Sequence, residues 1–302
     1  MKIIVTGGLG FIGSSFVELI MKKDPTADIT IVDKITYAAN PNLFQYCKVK
    51  LIKKDICDVT VKDLGNYDYL VHFAAESHVD NSITNGKPFI RTNVEGTFNL
   101  LECAKQNKDL KKFIHISTDE VYGDKLKGES IETDKLSGSS YYSATKASSD
   151  LLVLAAHRTF GLPYIITRTC NNYGSHQHKE KFLPTIMRSL KEGKEIPVYG
   201  DGKQVREWID VKDNVQQLYN LMLSDFTNDI FNIGTGERFT NLDIIGIIGL
   251  IMKKPVKFKF VEDRLGHDRR YALNSNKLNK YGFVNEYKTL INFLEKEVKK
   301  LK

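Results

Sequence analysis

The run Thr6-Gly7-Gly8-Leu9-Gly10-Phe11-Ile12-Gly13 decides the fold of this chain. It follows a β-branched stretch, Lys2–Thr6, and opens a helical pattern, Phe11–Met21. Its glycines satisfy both Gly-x-Gly-x-x-Gly (Gly8, Gly10, Gly13) and Gly-x-x-Gly-x-x-Gly (Gly7, Gly10, Gly13). Such a turn lets the backbone approach a pyrophosphate, and the helix aims its positive end at the phosphates. Asp33 ends a second strand about 20 residues after the last glycine, the distance expected of an acid that bonds the adenosine ribose. A carboxylate there accepts from a 2′-hydroxyl and repels a 2′-phosphate. This favours NAD over NADP, with the adjacent Lys34 blunting the contrast.

Working outward, β-branched runs alternate with helical patterns through the first half, which argues for a parallel sheet with crossover helices. Expected strands are Lys2–Thr6, Asp28–Asp33, Lys48–Lys53, Tyr69–Phe73, Lys112–Ser117 and Tyr164–Arg168. Expected helices are Phe11–Met21, Val94–Gln106 and Tyr142–Arg158. From about residue 171 the rhythm breaks into shorter elements separated by loops rich in Gly, Asn, Pro and charge. The expected fold is therefore α/β. A Rossmann-type doubly wound parallel sheet spans 1–170, and a smaller, partly interleaved substrate-binding domain spans 171–302. Residues from about 200 to 235, Ile230–Ile233 among them, return to the first domain. The cofactor set read from this frame is Gly7, Gly10, Phe11, Ile12 and Gly13 on the phosphates, with Asp33, Lys34 and Thr36 near the ribose. Asp55 and Ile56 flank the adenine, and Phe73, Ala74 and Ala75 line the phosphates and nicotinamide ribose.

Tyr142 and Lys146 lie four apart, so on a helix they share a face. A free tyrosine has pKa about 10. A nearby ammonium and a positive nicotinamide would favour its phenolate. Tyr141 has the wrong helical spacing to Lys146. Thr118-Asp119-Glu120 follows the fifth expected strand, at the carboxyl edge where open α/β sheets bind ligands. Adjacent carboxylates also occur in solvated turns, but this location favours catalysis. Elimination of water needs one carboxyl group protonated and one ionised, and environments that push the two pKa values apart would supply both.

At 302 residues and a net charge of +7 the chain reads as a globular protein with a preference for anionic partners. Its basic clusters, Lys253–Lys259 and Lys296–Lys302, read as solvated faces, so nucleic acid is not expected. No apolar run is long enough to span a membrane, and the start lacks a signal-peptide pattern, so a cytoplasmic protein is expected. Cys47, Cys57, Cys103 and Cys170 are scattered and read as reduced and structural. No metal is expected: His176 and His178 stand two apart without ligand-type neighbours. Two stripes look too apolar for one buried face: Val94, Thr97, Phe98, Leu101 and Ala104, and Ala147, Leu151, Leu152, Leu154 and Ala155. They read either as packing against the sheet or, as preferred here, as a homodimer interface.

These residues together resemble the dTDP-glucose 4,6-dehydratases of the extended short-chain dehydrogenase/reductase group over nearly the full length. The matching stretches are Thr6–Gly13, His72–Asp80, Ser117–Gly123, Tyr142–Asp150, Asn171–Gly174, Glu180–Pro184, Gly200–Trp208 and Asp263–Tyr271. The glycine and Tyr/Lys motifs belong to the whole superfamily, whereas Thr118-Asp119-Glu120 with Gly266-His267-Asp268-Arg269-Arg270-Tyr271 is narrower. The resemblance implies a redox-neutral lyase with tightly held NAD. Tyr142 would take the 4-hydroxyl proton, Glu120 the C5 proton, and Asp119 would protonate the departing 6-hydroxyl. Thr118 would bond the 4-oxygen and Lys146 the nicotinamide ribose. Contacts to the nucleotide sugar, dTDP-glucose or UDP-glucose, would fall to Ser77, Thr118, Asn171, Lys181, Arg206, Asn232, Arg264, His267 and Tyr271, with Asn172 nearer the nicotinamide. The short segment between Gly123 and Tyr142, the loop Ser175-His176-Gln177-His178 and the pair Thr169-Cys170 depart from the family pattern and leave the base open. A UDP-glucose 4,6-dehydratase, a nucleotide-sugar 4-epimerase and a non-catalytic NAD sensor are the competing readings.

Overall fold

The computed structural model describes residues 1–253, 255–282 and 289–300; Lys254 and residues 301–302 of the two basic clusters lie outside them. The described chain runs β1 (Lys2–Thr6), α1 (Phe11–Lys23), β2 (Asp28–Asp33), β3 (Val49–Lys53), α2 (Val61–Leu64), β4 (Tyr69–His72), α3 (Val79–Thr84) and α4 (Lys87–Phe89). A π-turn, Ile90–Gly96, leads into α5 (Thr97–Ala104), then β5 (Lys112–Thr118), α6 (Tyr141–Phe160), β6 (Tyr164–Thr169), β7 (Asn171–Tyr173) and α7 (Phe182–Glu192). The remainder is β8 (Ile196–Tyr199), β9 (Val205–Asp210), α8 (Val211–Leu223), β10 (Asp229–Ile233), β11 (Arg238–Thr240), α9 (Asn241–Met252), β12 (Phe258–Val261), α10 (Asn276–Asn279) and α11 (Leu290–Lys299).

Seven strands form one parallel sheet in the order β10-β6-β5-β4-β1-β2-β3. The strand order reverses between β1 and β4, and the carboxyl ends there open a crevice for ligands. Each face of the sheet is covered. On one, Phe16, Val17 and Ile20 of α1 and Leu218, Leu221 and Met222 of α8 pack on Val5, Ile31, Ile114 and Phe231. On the other, Leu100, Leu101 and Ala104 of α5 and Val153 of α6 pack on Ile4, Leu70, Phe113 and Ile166. A third apolar cluster, built from Tyr173, Leu183, Ile196, Trp208, Ile244, Ile248, Leu290 and Leu294, unites α7, α9 and α11 with β8 and β9. The sheets β11-β9-β7 and β12-β8 complete that part of the chain.

The helix expected from Val94 begins earlier, at Lys87. Pro88 occupies its first turn, where a missing N–H costs nothing. The widened π-turn that follows carries Asn93, whose side chain bonds the Glu76 backbone at both N–H and C=O and the Thr145 hydroxyl. It ties the loop after β4 to α6. Helix α6 starts with a capping box between Ser140 and Ser143 and ends at Gly161, whose φ of 71° is left-handed. That start places Tyr142 in the first turn, at the mouth of the crevice.

Buried Lys112 at the start of β5 staples the end of α8: its Nζ donates to the carbonyls of Leu221, Met222 and Ser224. Those carbonyls have no partners within the helix. Lys112→Met should cost about 1–3 kcal/mol of stability and lower the melting temperature by several degrees, with catalytic turnover per folded molecule unchanged; a calorimetric melt beside an activity assay checks both.

Candidate active site

The glycine turn sits at the crevice as expected. Gly7 adopts φ 68°, and a Cβ there would come within 2.7 Å of the Ala74 nitrogen. At Gly13 a Cβ would overlap the Gly7 carbonyl. Gly10 caps α1 without any side-chain bond, and the first turn, which contains Phe11, Ile12 and Gly13, holds no acidic residue. The helix end is therefore open to a phosphate. Asp33 is buried at the end of β2, its carboxylate accepting from the backbone N–H groups of Leu9 (3.1 Å) and Ile35 (2.8 Å). Lys34 turns to Glu76 (3.2 Å) and Thr92 (3.0 Å), so it is not poised for a 2′-phosphate. Thr36 lies in the loop beyond, where its carbonyl accepts from Ala39. Asp55 caps the turn Ile56–Asp58 through Cys57 N–H. Ile56 is packed in the core against Gly96, which leaves its backbone rather than its side chain for an adenine. Phe73 and Ala74 bond the carbonyl and hydroxyl of Thr6, and Phe73 stacks on Phe16, so the segment through Ala75 runs beside the glycine turn. These features fit a dinucleotide: a cradle without side chains, an uncapped helix start and a fixed carboxylate about 20 residues on.

Asp119 and Glu120 open a 3-10 turn directly after β5, where Thr118 accepts the Glu120 N–H and donates to Asp119 Oδ1 (3.1 Å). Asp119 Oδ2 is buried without a hydrogen-bond partner. Burial, with Glu120 and Glu207 adding negative charge, raises the Asp119 carboxyl well above the usual carboxylate range. Burial raises Glu120 too, but Arg206, Arg264 and Lys181 act against it. The two adjacent acids thus experience different fields: Asp119 favours the proton, while Glu120 faces three cations.

Tyr142 closes the same space, with the Thr118 hydroxyl bonding its phenol and Glu120 and Asp119 near it. Burial and the two acids push its pKa above that of a free tyrosine. The ammonium does not by itself offset the two acids, so the expected phenolate rests on the positive nicotinamide as well. Lys146 Nζ donates to the Ile116 carbonyl at 2.7 Å, and the carboxyl groups outweigh it.

The remaining expected contacts divide. Lys181, at the N-terminus of α7, bonds the Ser77 carbonyl across the crevice (3.0 Å). Arg206 donates to the carbonyls of Val205 and Asp268 and lies 4.2 Å over the Tyr271 ring. Tyr271 donates to Asp268 (2.7 Å) and reaches Glu120 (3.5 Å). Arg264 pairs with Asp80 (3.4 Å), and its Nε is buried without a hydrogen-bond partner. His267 bonds Asp263 (2.6 Å) and is kept neutral, its pKa lowered to about 4 chiefly by burial and Arg264. Asn171 is half-buried on β7. Two expected side chains are spent on the fold. Asn232 is fully buried on β10 between Ser130, Asn274 and Tyr122. Asn172 donates to the Thr169 hydroxyl and the Cys170 carbonyl and accepts from Asn214. Both carboxamide N–H groups of each residue are thus used within the chain, and one lone pair on each oxygen is left. Asp80 and Asp268 were missed. Both stand inside quoted motifs, and a pairing role for an acid among arginines was their only signal.

The family model described as the NAD dependent epimerase/dehydratase family matches residues 3–234. The chain is 42% identical over 294 residues to the low-salt glycan biosynthesis protein Agl12 of Haloferax volcanii, covering 95% of this chain and 94% of that protein. It is 42% identical over 309 residues to a dTDP-glucose 4,6-dehydratase of Haemophilus influenzae, covering 92% and 91%. Among solved structures it is similar to a dTDP-glucose 4,6-dehydratase from Streptomyces venezuelae with NAD bound: 37% identity, a TM-score of 0.93, and 99% and 96% of the two chains covered. A UDP-glucuronic acid 4-epimerase from Bacillus cereus, in complex with UDP-glucuronic acid and NAD, shares the architecture at 27% identity and a TM-score of 0.92, with 100% and 99% covered. With its glycine cradle, ribose acid and Tyr/Lys pair on one sheet edge, this chain belongs to the NAD-dependent epimerase/dehydratase family.

Proposed function

We propose that this chain is a dTDP-glucose 4,6-dehydratase, which converts dTDP-glucose to dTDP-4-keto-6-deoxyglucose and water. One observation carries the reading: Asp119 and Glu120 stand side by side at the sheet edge, Asp119 Oδ2 buried without a hydrogen-bond partner and Glu120 with Arg206, Arg264 and Lys181 opposing the upward pull of its burial. An epimerase exchanges hydride at C4 and has no use for a neighbouring acid and base. The dinucleotide, held by the Gly7–Gly13 turn and Asp33, supplies the acceptor and donor of hydride at C4 and C6. Its positive ring, when bound, would offset the carboxylates that keep the Tyr142 phenol protonated. Tyr142 accepts the 4-hydroxyl proton, with Thr118 bonding the same oxygen. The 4-ketone acidifies C5–H, and Glu120 takes that proton. Asp119 gives its proton to the 6-hydroxyl, which leaves as water. As hydride reaches C6, Glu120 returns a proton to C5, and the proton held by Tyr142 must pass to Asp119 before the next turnover. Arg206 and Arg264 are suited to the diphosphate because guanidinium forks bond phosphate oxygens in pairs. Lys181, Asn171, His267, Tyr271 and Ser77 complete the nucleotide-sugar side, and Lys146 also serves the nicotinamide ribose. Residues 1–170 are the dinucleotide half and 171–302 the sugar-nucleotide half, with β10 lent back to the main sheet.

The second copy expected from the sequence has support in exposed apolar groups. Ile90 and Phe98, about half exposed, lie on the helix from Lys87 to Ala104; Tyr141 and Leu151, more than half exposed, lie on the adjoining α6. We read them as a homodimer face formed by the two helices of each subunit. Among the described residues no helix is long and apolar enough to cross a membrane. We place the protein in the cytoplasm, where nucleotide sugars are made and cysteines stay reduced.

Four outcomes test these readings. Incubation with dTDP-glucose and UDP-glucose should give the 4-keto-6-deoxy product from the former at the higher kcat/KM; formation of a galactose epimer alone would overturn the dehydratase reading. In Asp119→Asn, C4 oxidation and exchange of the C5 proton with solvent deuterium should persist while water loss falls about 10²–10⁴-fold. In Glu120→Gln both exchange and water loss should fall, and NMR of the recovered sugar separates the two. Phe98→Asp with Leu151→Asp should convert a dimer to a monomer in sedimentation velocity; an unchanged sedimentation coefficient would refute the proposed face.

A further inference from the structure

Behind the crevice, α6 carries a third polar residue on the stripe of Tyr142 and Lys146. It is Asp150, four residues further on. Asp150 is fully buried, as is His115 of β5, and Arg168 of β6 is 2% exposed. Arg168 Nε donates to Asp150 Oδ2 at 2.9 Å, and its Nη1 donates to the Tyr122 hydroxyl and the Glu132 carbonyl. The other carboxylate oxygen, Oδ1, has no hydrogen-bond partner and lies 3.5 Å from His115 Nε2. The same ring nitrogen is 3.5 Å from Lys146 Nζ and 3.2 Å from Ser149 Oγ. One ring nitrogen thus stands 3.5 Å from both the ammonium and the carboxylate; as an acceptor from Lys146 it supports the ammonium, and Asp150 acts across it by charge.

A buried ammonium is costly unless it has a counter-charge. Burial pulls Lys146 down to about 8, and Asp150 is the group that acts in the other direction. Burial likewise pushes Asp150 toward its neutral form, and Arg168 and Lys146 oppose this. His115 is kept neutral chiefly by its burial and Lys146. The surrounding elements add few charges. From β4 comes His72, its ring 5.3 Å from His115 and its nitrogens occupied by Thr6 and Thr97. The turn after β5 adds Asp119 and Glu120 on the Tyr142 side. The helix from Lys87 to Ala104 offers the uncharged Asn93 and Thr97.

We propose that Asp150, clamped by Arg168 and acting through His115, is a positioning residue that holds Lys146 as an ammonium while Tyr142 exchanges its proton. The proposal rests on the dehydratase reading and deepens it. The motif becomes Tyr-x-x-x-Lys-x-x-x-Asp, with His115 and Arg168 supplied by the two strands beneath. Its sign is definite: removal of the carboxylate, or of the polar bridge to it, favours loss of the Lys146 proton.

The test compares the pH profiles of kcat and KM for dTDP-glucose in the wild-type holoenzyme and in Asp150→Asn, His115→Leu and His115→Gln. In Asp150→Asn and His115→Leu the alkaline limb of kcat should move down by about one pH unit or more. Their kcat at neutral pH should fall at least about tenfold, with KM little changed. His115→Gln, whose carboxamide can accept from Lys146 and donate to Asp150, should return the limb to its wild-type position. Alkaline limbs that stay in place, or a His115→Gln enzyme as shifted as His115→Leu, would overturn the proposal. If Asp150→Asn does not fold, because Arg168 is left unpaired, the two His115 variants decide, since the Arg168–Asp150 bond remains in both. A wild-type enzyme that forms no dehydrated product would instead strike the dehydratase reading, so the two failures are distinguishable.

Discussion

Desolvation of ionisable groups at the carboxyl edge of the parallel sheet governs this molecule. Asp119, Tyr142 and Lys146 are buried there, and Glu120 is partly buried beside them. In water an Asp and a Glu one residue apart would titrate almost together. Here the low-dielectric surroundings magnify whatever charges lie nearest, so small differences in placement become different protonation states. Asp119 has the Thr118 hydroxyl on one oxygen and no partner on the other. Glu120 looks toward the cations of the second half of the chain. The burial that costs stability at these positions is also what sets an acid beside a base.

That environment depends on the two parts of the chain meeting. Lys181 reaches the Ser77 carbonyl, and Arg264 and Tyr199 both reach Asp80 in α3. Arg206 is braced by Tyr271 and the Asp268 carbonyl. Glu207, fully buried on β9, accepts from the Gly236 and Leu273 N–H groups and pairs with Arg238, which fixes the strand that carries Arg206. Each cation that tempers Glu120 thus comes from an element whose own position is settled elsewhere. In the absence of an anionic ligand, Asp80 neutralises Arg264. A diphosphate would have to compete for that guanidinium, which favours ligands carrying more than one negative charge.

Much of this was legible in the sequence because local chemistry repeats there. The glycine turn, Asp33 and Tyr142/Lys146 each stand at a spacing that secondary structure alone explains, and β1 and β2 have the expected bounds. The π-turn was not legible. A run such as Ile90-Arg91-Thr92-Asn93 has no pattern that distinguishes it from ordinary helix, and only the bonds of Asn93 to Glu76 and Thr145 show what the wider turn accomplishes. The bonds that Asn232 and Asn172 make within the fold were hidden for a related reason. An amide in a motif looks equally available whether it faces a ligand or a neighbouring strand, and the difference lies in tertiary partners: Ser130 and Asn274 for one, Asn214 for the other. The balance of charge at Tyr142 was not legible either, because sequence spacing places Lys146 beside it but cannot show that the ammonium is spent on Ile116.

A reaction that begins and ends with the same cofactor redox state needs groups that return to their starting protonation as well. Tyr142 gains a proton in the first step, and Glu120 gains one as Asp119 loses one. When hydride goes back to C6, Glu120 returns a proton to C5; Tyr142 is then one proton richer and Asp119 one poorer, so the proton from the 4-hydroxyl must pass from Tyr142 to Asp119. A site open to bulk water would make that return depend on pH and buffer. Here Glu120 lies within 3.5 Å of the Tyr271 hydroxyl, which donates in turn to Asp268, while Asp119 is bridged by Thr118 toward Tyr142. Asp119 therefore belongs to a hydrogen-bonded run, whereas Glu120 is only partly buried and its proton can exchange with solvent. The reset that a dehydratase requires, and a simple alcohol dehydrogenase does not, is the transfer from Tyr142 to Asp119, and Thr118 stands between the two.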